Sequence, residues 1–525
     1  MLLLSRGIYW DGQLIFHFLK RNDFDVLWWS SSQIGRYDGF IINAFIASFS
    51  DPILAFKVIS FISILVGGLA VFYALKDLFG CNPFTSYVGF CLFSAMPFYS
   101  LLPELSLVPY HIQIGLFMAG NVCAAYYFSR DMKFPVFLAA ALCLWFSFSL
   151  ASLVVLELPV LLLVGLYVYR RRSKTIYYLI FCVMPFISYF SRRAPYGIYS
   201  DYNKVDLSVP AFLAFMKQTI KITLSLPFHM VRIRISEIDF SISSVVGILS
   251  LLIMLFVIMH FFRSENRKGG FLPAGYSAFL MLFSVVSTYC AVFPYVAVDK
   301  IPYPHDFHIR HFLPYVCVIP LMFFAFRSLL YSIFKNGLLQ KVIDIGAVII
   351  VILLTYENIW NYVTWDYDWY KQIAITNALR EKEELLENCD IATFSDYSGI
   401  RNKNDRLYRV YDWSSLLTEA IDSENILVAS DPSEIPARKN TIEKAKKSKA
   451  EYERVSRYLM ASDYTGGNAY CLVSIFRLFE RGQSLSDYLK LKYAELTNPE
   501  KLEKLLEGWI VAGVTVYDNS TYGKN

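Results

Sequence analysis

Charged residues are scarce in this chain of 525 residues, and their scarcity argues against several classes of protein. Only 18% of the residues are Asp, Glu, Lys or Arg, whereas about a quarter is usual for a soluble domain. The formal net charge of +5 is modest for this length and gives no sign of a nucleic-acid partner. Internal repeats and low-complexity tracts are also lacking. The composition therefore disfavours both an ordinary soluble protein and a nucleic-acid-binding protein.

The nine cysteines form no C-x-x-C pair and no zinc-ligand spacing, which argues against a cysteine metal site. Cys389 and Cys471 lie in the polar C-terminal part. If that part faces an oxidising compartment, the two residues can form one disulfide; the alternative is that both remain free thiols. The others lie in or beside apolar segments and are typical of small core residues: Cys81, Cys91, Cys123, Cys143, Cys182, Cys290 and Cys317.

Apolar sequence is what the chain has in excess. Hydrophobic residues make up 56% of it and aromatic residues 17%, with a mean hydropathy of +0.41. A run of about 20 apolar residues crosses the hydrocarbon core of a bilayer, and 53–75, 271–298 and 342–356 are almost free of charge. Buried helices of a large soluble protein are the alternative, but so many uncharged runs cannot all be internal. We therefore predict an all-α polytopic membrane protein of about 10–11 spans with a small C-terminal α/β domain.

Ten windows are suited to spanning: 53–75, 85–102, 107–128, 134–151, 153–169, 175–191, 241–262, 271–296, 312–333 and 342–358. Met1 to Leu4 look like the end of an apolar segment. Either a first helix is missing before them, which we prefer, or the chain begins outside the membrane. The predicted organisation is an outer-face segment with interfacial helices over 1–52, a helical bundle over 53–358 and an extracytoplasmic α/β domain over 359–525.

Short loops rich in Lys and Arg alternate along the chain and indicate its orientation. They place the N-terminal segment, the loops 192–240 and 297–311, and the C-terminal domain on the outer side of a plasma (inner) membrane. The loop 192–240 is a partial exception, because it carries several basic residues on that side. Within the outer domain we predict strands over 391–396, 469–476 and 509–517, and an amphipathic helix over 443–460.

Three groups of residues have the chemistry of a site. Asp11, with Asp23 and Asp25, lies among aromatic residues at the expected outer surface, where a carboxylate can act as a general base. The alternative is an interfacial helix whose polar face meets water. Glu104 and His111 lie on an outer loop between two spans, where they either bind an acceptor or metal or are simply solvated.

The third group is the sequence from His305 to His311, preceded by Lys300. Its spacing is not that of a zinc site. Arg310 binds phosphate readily through its forked guanidinium, and the basic loop 192–240 favours an anionic lipid nearby. Plain contact with lipid headgroups is the alternative.

Around Asp11, the sequence Tyr9-Trp-Asp-Gly-Gln13 resembles the acidic first-loop motif of GT-C glycosyltransferases. These membrane enzymes use polyprenyl-phosphate sugars and include protein mannosyltransferases and lipid A aminoarabinose transferases. The likeness covers most of residues 7–400 as short motifs, in the order seen in bacterial members: 39–45, 51–60, 67–80, 97–99 and Arg310-His-Phe-Leu-Pro314. Two departures stand out. Arg36-Tyr-Asp-Gly39 replaces a common His-Pro-Pro, and Asp11-Gly12 replaces an acidic pair.

The resemblance implies an enzyme that moves a sugar from a polyprenyl-phosphate donor to a lipid, glycan or protein at the outer membrane face. Asp11 is then the first choice of general base, followed by Asp38 and then by Asp23 or Asp25. Arg310, with Lys300, His308 or His311, would stabilise the departing phosphate. Glu104 and His111 would line the acceptor side, and Arg36 is a further substrate-binding candidate. Some relatives need a divalent metal, but the sequence shows no convincing set of ligands.

Other functions fit the same sequence. A transporter or flippase of lipid-linked saccharide is one, although matching halves with broken helices are not evident. A polymerase or ligase of the O-antigen type is another, because such an enzyme is expected to rest on arginine-rich outer loops. A degenerate, non-catalytic relative also fits if Asp11 is dispensable.

Overall fold

A computed structural model of the chain describes residues 2–33, 35–96, 101–130, 132–169, 174–191, 208–236, 272–302, 307–334, 337–400, 406–478 and 485–517. The N-terminal and bundle helices are α1 (Asp11–Arg21), α2 (Phe24–Gln33), α3 (Tyr37–Ala47), α4 (Pro52–Tyr73), α5 (Pro83–Ser94), α6 (Val108–Ser129), α7 (Phe134–Ser147), α8 (Ala151–Tyr169), α9 (Thr175–Ser191), α10 (Val209–Ser236), α11 (Ala274–Val296), α12 (Ile319–Ile333) and α13 (Gly337–Arg380). Short 3₁₀ helices at Leu105–Leu107 and Phe307–Cys317 precede α6 and α12.

Capping residues mark where several bundle helices begin. Asp51 accepts a hydrogen bond from the Leu54 backbone N–H at 2.9 Å, and Pro52 occupies the first turn of α4. Asn82 caps α5 in the same way. A capping side chain satisfies an N–H that the helix itself leaves unpaired, and proline is tolerated there because its missing N–H has no partner to lose.

Four helical segments are long and apolar enough to cross a membrane: Pro52–Leu78, Leu105–Ser129, Ala274–Val296 and Lys341–Arg380. A fifth results if Ile309–Cys317 and Ile319–Ile333, which meet at 54°, form one bent span. The described residues thus provide four or five such helices, fewer than the ten or eleven spans predicted.

The shortfall has a simple physical reason, which is that several apolar runs fold into helices too short to span alone. Helix α5 has 12 residues, α7 has 14 and α9 has 17. The predicted span over 241–262 lies outside the described residues.

The bundle shows large apolar side chains on its outer surface. Leu162, Ile176 and Leu282 are 73%, 74% and 64% exposed. Inside the bundle, by contrast, the buried Glu157 carboxylate accepts a hydrogen bond from Asn121 Nδ2 at 3.0 Å. Apolar residues outside and paired polar residues inside are what a lipid environment requires. The fold therefore has the architecture of a polytopic membrane protein.

A four-stranded sheet forms the centre of the C-terminal domain. Its strands are β1 (Ile391–Asp396), β2 (Leu427–Ala429), β3 (Tyr470–Arg477) and β4 (Ile510–Tyr517), in the order β2-β1-β3-β4. The first three strands are parallel, and β4 pairs antiparallel with β3. The helices of this domain are α14 (Glu383–Leu386), α15 (Val410–Ile421), α16 (Ile435–Ala445), α17 (Lys449–Tyr458), α18 (Leu485–Thr497) and α19 (Pro499–Leu506).

These elements agree in part with the sequence analysis. The three predicted strands are confirmed, whereas the short strand β2 was not predicted. The single helix predicted over 443–460 is wrong, because the chain forms α16 and α17 with a break between them. The break arises where Ser448 adopts an extended conformation ahead of α17.

Helix α13 joins the bundle to the C-terminal domain without interruption over its 44 residues. Its first half contributes Val348 and Val351 to the core of the bundle. Its second half contributes Tyr370 and Leu379 to the core beneath the sheet. The predicted domain boundary at 358 therefore falls within a continuous helix.

Ion pairs hold the C-terminal domain against the N-terminal helices. Arg457 of α17 contacts Asp23 at 2.9 Å and Asp25 at 2.7 Å. Glu424, buried after α15, contacts His17 at 2.8 Å and Arg21 at 2.7 Å. These contacts fix the domain over the end of α1 and the start of α2.

A disulfide between Cys389 and Cys471 ties the segment before β1 to β3 across 82 residues of sequence, with the two Cα atoms 5.8 Å apart. Closing a loop of this length reduces the entropy of the unfolded chain, and it stabilises a domain by roughly 2–4 kcal/mol. We expect the double variant Cys389→Ala/Cys471→Ala to lower the melting temperature of the detergent-solubilised protein. Cys123→Ala, which removes a thiol in the bundle, is the control. Labelling of both cysteines by maleimide in unreduced, denatured protein would contradict the disulfide.

Candidate active site

Asp11 is the first residue of α1, and the chain enters the helix through a strained position. Trp10 has a φ of 50°, a left-handed conformation that is costly for a bulky residue and is often found at functional sites. Tyr9 and Trp10 are almost fully buried, and their rings lie 4.3 and 4.8 Å from that of Trp365 on α13. This aromatic packing fixes the position of Asp11.

The C-terminal domain supplies two partners for Asp11. Oδ1 of Asp11 accepts a hydrogen bond from Arg406 Nη2 at 3.4 Å and another from the Tyr411 hydroxyl. The guanidinium of Arg406 also lies 4.7 Å above the Trp10 ring. The Asp11 side chain is 39% exposed, although that of Arg406 is only 7% exposed. One oxygen of the carboxylate is thus anchored, while the side chain stays open to solvent.

Glu104 lies beside this carboxylate and is fully buried. Its Oε1 accepts a hydrogen bond from the Ser106 N–H at 3.1 Å, and its Oε2 has no hydrogen-bond partner within the described parts of the chain. Burial, with a further contribution from the charge of Asp11, raises the pKa of Glu104 to about 8. Near neutral pH, Glu104 is therefore largely a protonated acid that can donate a hydrogen bond.

Gly12 makes the approach of Glu104 possible. A Cβ at position 12 would stand 3.1 Å from Oε1 and 3.2 Å from Oε2 of Glu104. A side chain there would push the buried carboxyl away. Gly12 is therefore the residue that admits a second carboxyl group from elsewhere in the chain.

Asp412 completes the charged surroundings of Arg406. It is buried in the first turn of α15, where its Oδ2 accepts the Arg409 N–H at 2.7 Å. Burial raises the pKa of Asp412 to about 7, although the charge of Arg406 opposes this rise. Asp11, Glu104, Arg406, Tyr411 and Asp412 are hereafter called the carboxylate cluster.

Asp38, the second choice of base, lies in a different set of contacts. It pairs with Arg36 at 3.1 Å and accepts a hydrogen bond from Gln113 of α6. The guanidinium of Arg36 lies 4.8 Å from the Tyr110 ring. Arg36 is thus neutralised in this structure by its own neighbour, two residues along the chain.

Arg310 and His311 lie close to Arg36. Arg310 Nε is 3.3 Å from His311 Nε2, and the His311 ring stacks on Tyr295 at 4.7 Å. Arg310, Arg36 and Tyr110 all act electrostatically on the Tyr295 hydroxyl. Burial and the charge of Arg310 lower the pKa of Lys300 to about 8. Arg36, Lys300, Arg310 and His311 are hereafter called the basic patch. The side chain of His308 and all of His305 lie outside the described residues.

His111 does not lie on a loop, as the sequence predicted, but inside α6. It is 1% exposed, and its Nδ1 is 3.2 Å from the Ser60 hydroxyl on α4. The loop prediction for His111 is wrong because α6 begins at Val108, in agreement with the predicted span over 107–128, which already included this residue. Solvation is therefore not the role of His111 or of the equally buried Glu104.

The N-terminal end of α6 connects the carboxylate cluster to the basic patch. Glu104 precedes α6 and reaches Asp11, whereas Tyr110 and Gln113, within α6, contact Arg36 and Asp38. The six steps along the chain from Glu104 to Tyr110 span about 10 Å along a helical axis. Both groups of charges therefore lie at the same end of the bundle.

Asp23 and Asp25 are engaged with Arg457, and no contact joins them to the carboxylate cluster among the residues described. Arg406, Tyr411 and Asp412 were not identified from sequence, because they lie some 400 positions from Asp11 and carry no motif. No three His, Cys, Asp or Glu side chains meet as potential metal ligands in the part of the chain that the structure covers.

No protein-family model matches the sequence, and no curated protein matches it closely enough to be called a relative.

The raised pKa of Glu104 makes a prediction about stability. Its ordinary value is 4.5, so between about pH 5 and 8 the folded state binds more protons than the unfolded state, and stability falls as the pH rises. Glu104→Gln mimics the protonated acid and should flatten this fall, raising the melting temperature at pH 9 by roughly 2–4 °C. Differential scanning fluorimetry of both proteins from pH 5 to 9 measures how the melting temperature depends on pH. Glu434→Gln, at a half-exposed site, is the control, and parallel curves for Glu104→Gln and wild type would refute the assignment.

Proposed function

We propose that this protein is a membrane glycosyltransferase that moves a sugar from a polyprenyl-phosphate donor to a hydroxyl- or amine-bearing acceptor. The observation that carries the proposal is that two groups meet at the N-terminal end of α6. Glu104, just before α6, lies beside the half-exposed Asp11, and Tyr110, within α6, contacts Arg36 of the basic patch. An acid–base group and an anion-binding group at one end of an apolar bundle are what transfer from a lipid phosphate needs.

The reaction would proceed in one displacement. Asp11 takes the proton from the acceptor O–H or N–H, and the acceptor atom attacks the anomeric carbon. The bond between that carbon and the phosphate oxygen breaks, its electrons leave with the phosphate, and the new glycoside has inverted configuration. The products are the glycosylated acceptor and the polyprenyl phosphate. Proton transfer to a positioned side chain contributes typically 10²–10⁴-fold to such a rate.

Each cluster has a distinct task in this scheme. Arg406 and Tyr411 hold Oδ1 of Asp11 and so orient the base. Protonated Glu104 donates a hydrogen bond toward the same region. Arg310 and Lys300 balance the charge that develops on the departing phosphate, a task in which fixed charges are most effective away from bulk water. Lys300 loses its proton near pH 8, so donor binding should weaken above that pH.

The location follows from the same scheme. The C-terminal domain would lie on the periplasmic or extracellular side of the plasma membrane, together with Asp11. The disulfide between Cys389 and Cys471 supports this side, because disulfides persist in oxidising compartments.

Removing the base tests the proposal directly. Purified protein in lipid nanodiscs is given polyprenyl-phosphate sugars carrying a radiolabel, and transfer is followed by chromatography. Asp11→Asn keeps the size and hydrogen bonding of the side chain but cannot accept the proton, so kcat should fall by about 100-fold or more. Asp431→Asn, at an exposed aspartate bonded within its own turn, is the matched control.

Equal turnover by Asp11→Asn and wild type would remove Asp11 as the base. A wild-type protein that moves labelled lipid-linked saccharide across a sealed vesicle without any transfer would instead identify a flippase. A product in which whole oligosaccharides are joined would identify a polymerase or ligase.

Arg310 provides a second test. Arg310→Lys keeps the positive charge but loses the forked geometry that matches phosphate. We expect kcat to fall by roughly tenfold while the KM for the acceptor is unchanged. Arg438→Lys on α16 is the control. An effect confined to the acceptor KM would contradict the role of Arg310 at the donor phosphate.

A further inference from the structure

A cavity of about 330 Å³ lies inside the helical bundle, between α4, α6, α8 and α11. Its walls are largely apolar and include Phe117, Leu156 and Val164. Asn121 also lines it, but its Nδ2 already donates to the Phe117 carbonyl at 3.1 Å and to Glu157 at 3.0 Å. An apolar lining disfavours water, and close-packed interiors rarely leave a void of this size empty. The cavity therefore suits an apolar occupant.

The cavity reaches the end of the bundle opposite to the carboxylate cluster. Glu104 precedes α6, whereas Arg130, which lines the cavity, follows its last residue. The 22 residues of α6 extend about 33 Å, close to the hydrocarbon thickness of about 30 Å. From Arg130 to Phe117 the lining extends about 20 Å along α6. A small volume spread over that length is narrow and suits an extended chain.

A π-helical turn forms one wall at this end. It continues α4 over Ala74–Leu78, and four of its five residues line the cavity, namely Ala74, Leu75, Asp77 and Leu78. Such turns are rare and occur frequently at functional sites. The Asp77 carboxylate accepts a hydrogen bond from the Tyr126 hydroxyl at 2.8 Å, and the Asp77 carbonyl accepts one from Arg130 Nη2 at 3.1 Å. The turn thus holds Arg130 at the rim of the cavity.

Basic side chains are in excess around this rim. Lys174 Nζ donates to the Arg130 carbonyl at 2.9 Å. Lys76 and Lys133 are exposed, one beside Asp77 in sequence and the other three residues after Arg130. Asp77 is the one carboxylate among the described residues that line the cavity. The rim therefore favours an anion.

Other charges at this end of the bundle do not cancel the excess. Arg327 and Asp344 pair with each other at 2.8 Å. The neighbouring segments outside the described residues are also basic in sequence, with Asp131 and Glu265 against Arg170, Arg171, Arg172, Arg263, Arg267 and Lys268.

From these features we infer that the cavity binds one acyl chain of an anionic phospholipid, whose phosphate pairs with Arg130 and Lys174. The forked guanidinium of Arg130 matches phosphate oxygens, and basic pockets between spanning helices are suited to anionic headgroups. The lipid comes from the leaflet opposite to Asp11, which is the cytoplasmic leaflet in the proposed orientation. The site is separate from the donor and acceptor of the proposed transfer reaction.

Native mass spectrometry of the full-length protein in detergent measures which lipids stay bound. The probes are dioleoylphosphatidylglycerol, which is anionic, and dioleoylphosphatidylcholine, which has the same chains but no net charge. One phosphatidylglycerol molecule should bind at least about tenfold more tightly than phosphatidylcholine, because each basic residue near the surface contributes about fivefold. Phosphatidylglycerol with a diazirine in its acyl chain should crosslink to peptides of α6 and α8.

Two variants separate the chain from the headgroup. Ala125→Phe places a ring in the cavity and should abolish both retention and crosslinking to α6 and α8. Ala139→Phe, at an exposed position of α7, is its matched control. Arg130→Gln should weaken retention of phosphatidylglycerol by about fivefold and leave that of phosphatidylcholine unchanged. Arg454→Gln, exposed on α17, is the control for the lost charge.

Equal retention of the two phospholipids, or unchanged retention in either Ala125→Phe or Arg130→Gln, would overturn the inference. Tighter retention of a polyprenyl phosphate than of phosphatidylglycerol would also overturn it, because the occupant would then be a carrier lipid. Retention of phosphatidylglycerol as expected, in a protein that shows no transfer activity, would support this site and remove only the proposed function.

Discussion

The guanidinium of Arg406 joins the C-terminal domain to the start of α1 at the carboxylate cluster. It contacts Asp11 at the start of α1 and stacks on Trp10, and the buried carboxyl groups of Asp412 and Glu104 lie around it. Burial disfavours the charged form of a carboxyl group, and it is the main reason that the pKa of Glu104 rises to about 8 and that of Asp412 to about 7. The acid–base properties of the cluster therefore depend on how the C-terminal domain sits.

Docking of that domain is in turn fixed by ion pairs with the N-terminal helices. Asp23 and Asp25, which the sequence offered as alternative bases, hold Arg457 instead. The carboxylates of Asp23 and Asp25 therefore hold the C-terminal domain in position. Within the carboxylate cluster, Asp11 is exposed to solvent, whereas Glu104 and Asp412 are buried. Gly12 leaves room for Glu104, so that two carboxyl groups from distant parts of the sequence lie side by side.

The sequence predicted those features that local chemistry controls. Strands β1, β3 and β4 were identified because β-rich apolar runs alternate with helices. Fewer spanning helices than predicted are found among the described residues, because hydropathy does not show how long a helix an apolar run will form: α5 and α7 have only 12 and 14 residues. The partners of Asp11 were missed for a different reason. Arg406 and Tyr411 carry no local pattern, and the packing of α15 against α1 and α13 brings them to Asp11. His111 looked like a loop residue because its burial depends on contacts with α4.

The uninterrupted course of α13 has a mechanical consequence. Its 44 residues extend about 66 Å at 1.5 Å per residue, roughly twice the thickness of the hydrocarbon core. The part outside the bilayer is therefore a stiff continuation of the part inside it. A change of tilt by about 10° would move its far end by about 5 Å for every 30 Å of length. Any change of tilt inside a bilayer would therefore be passed directly to the helical segment that packs into the core of the C-terminal domain.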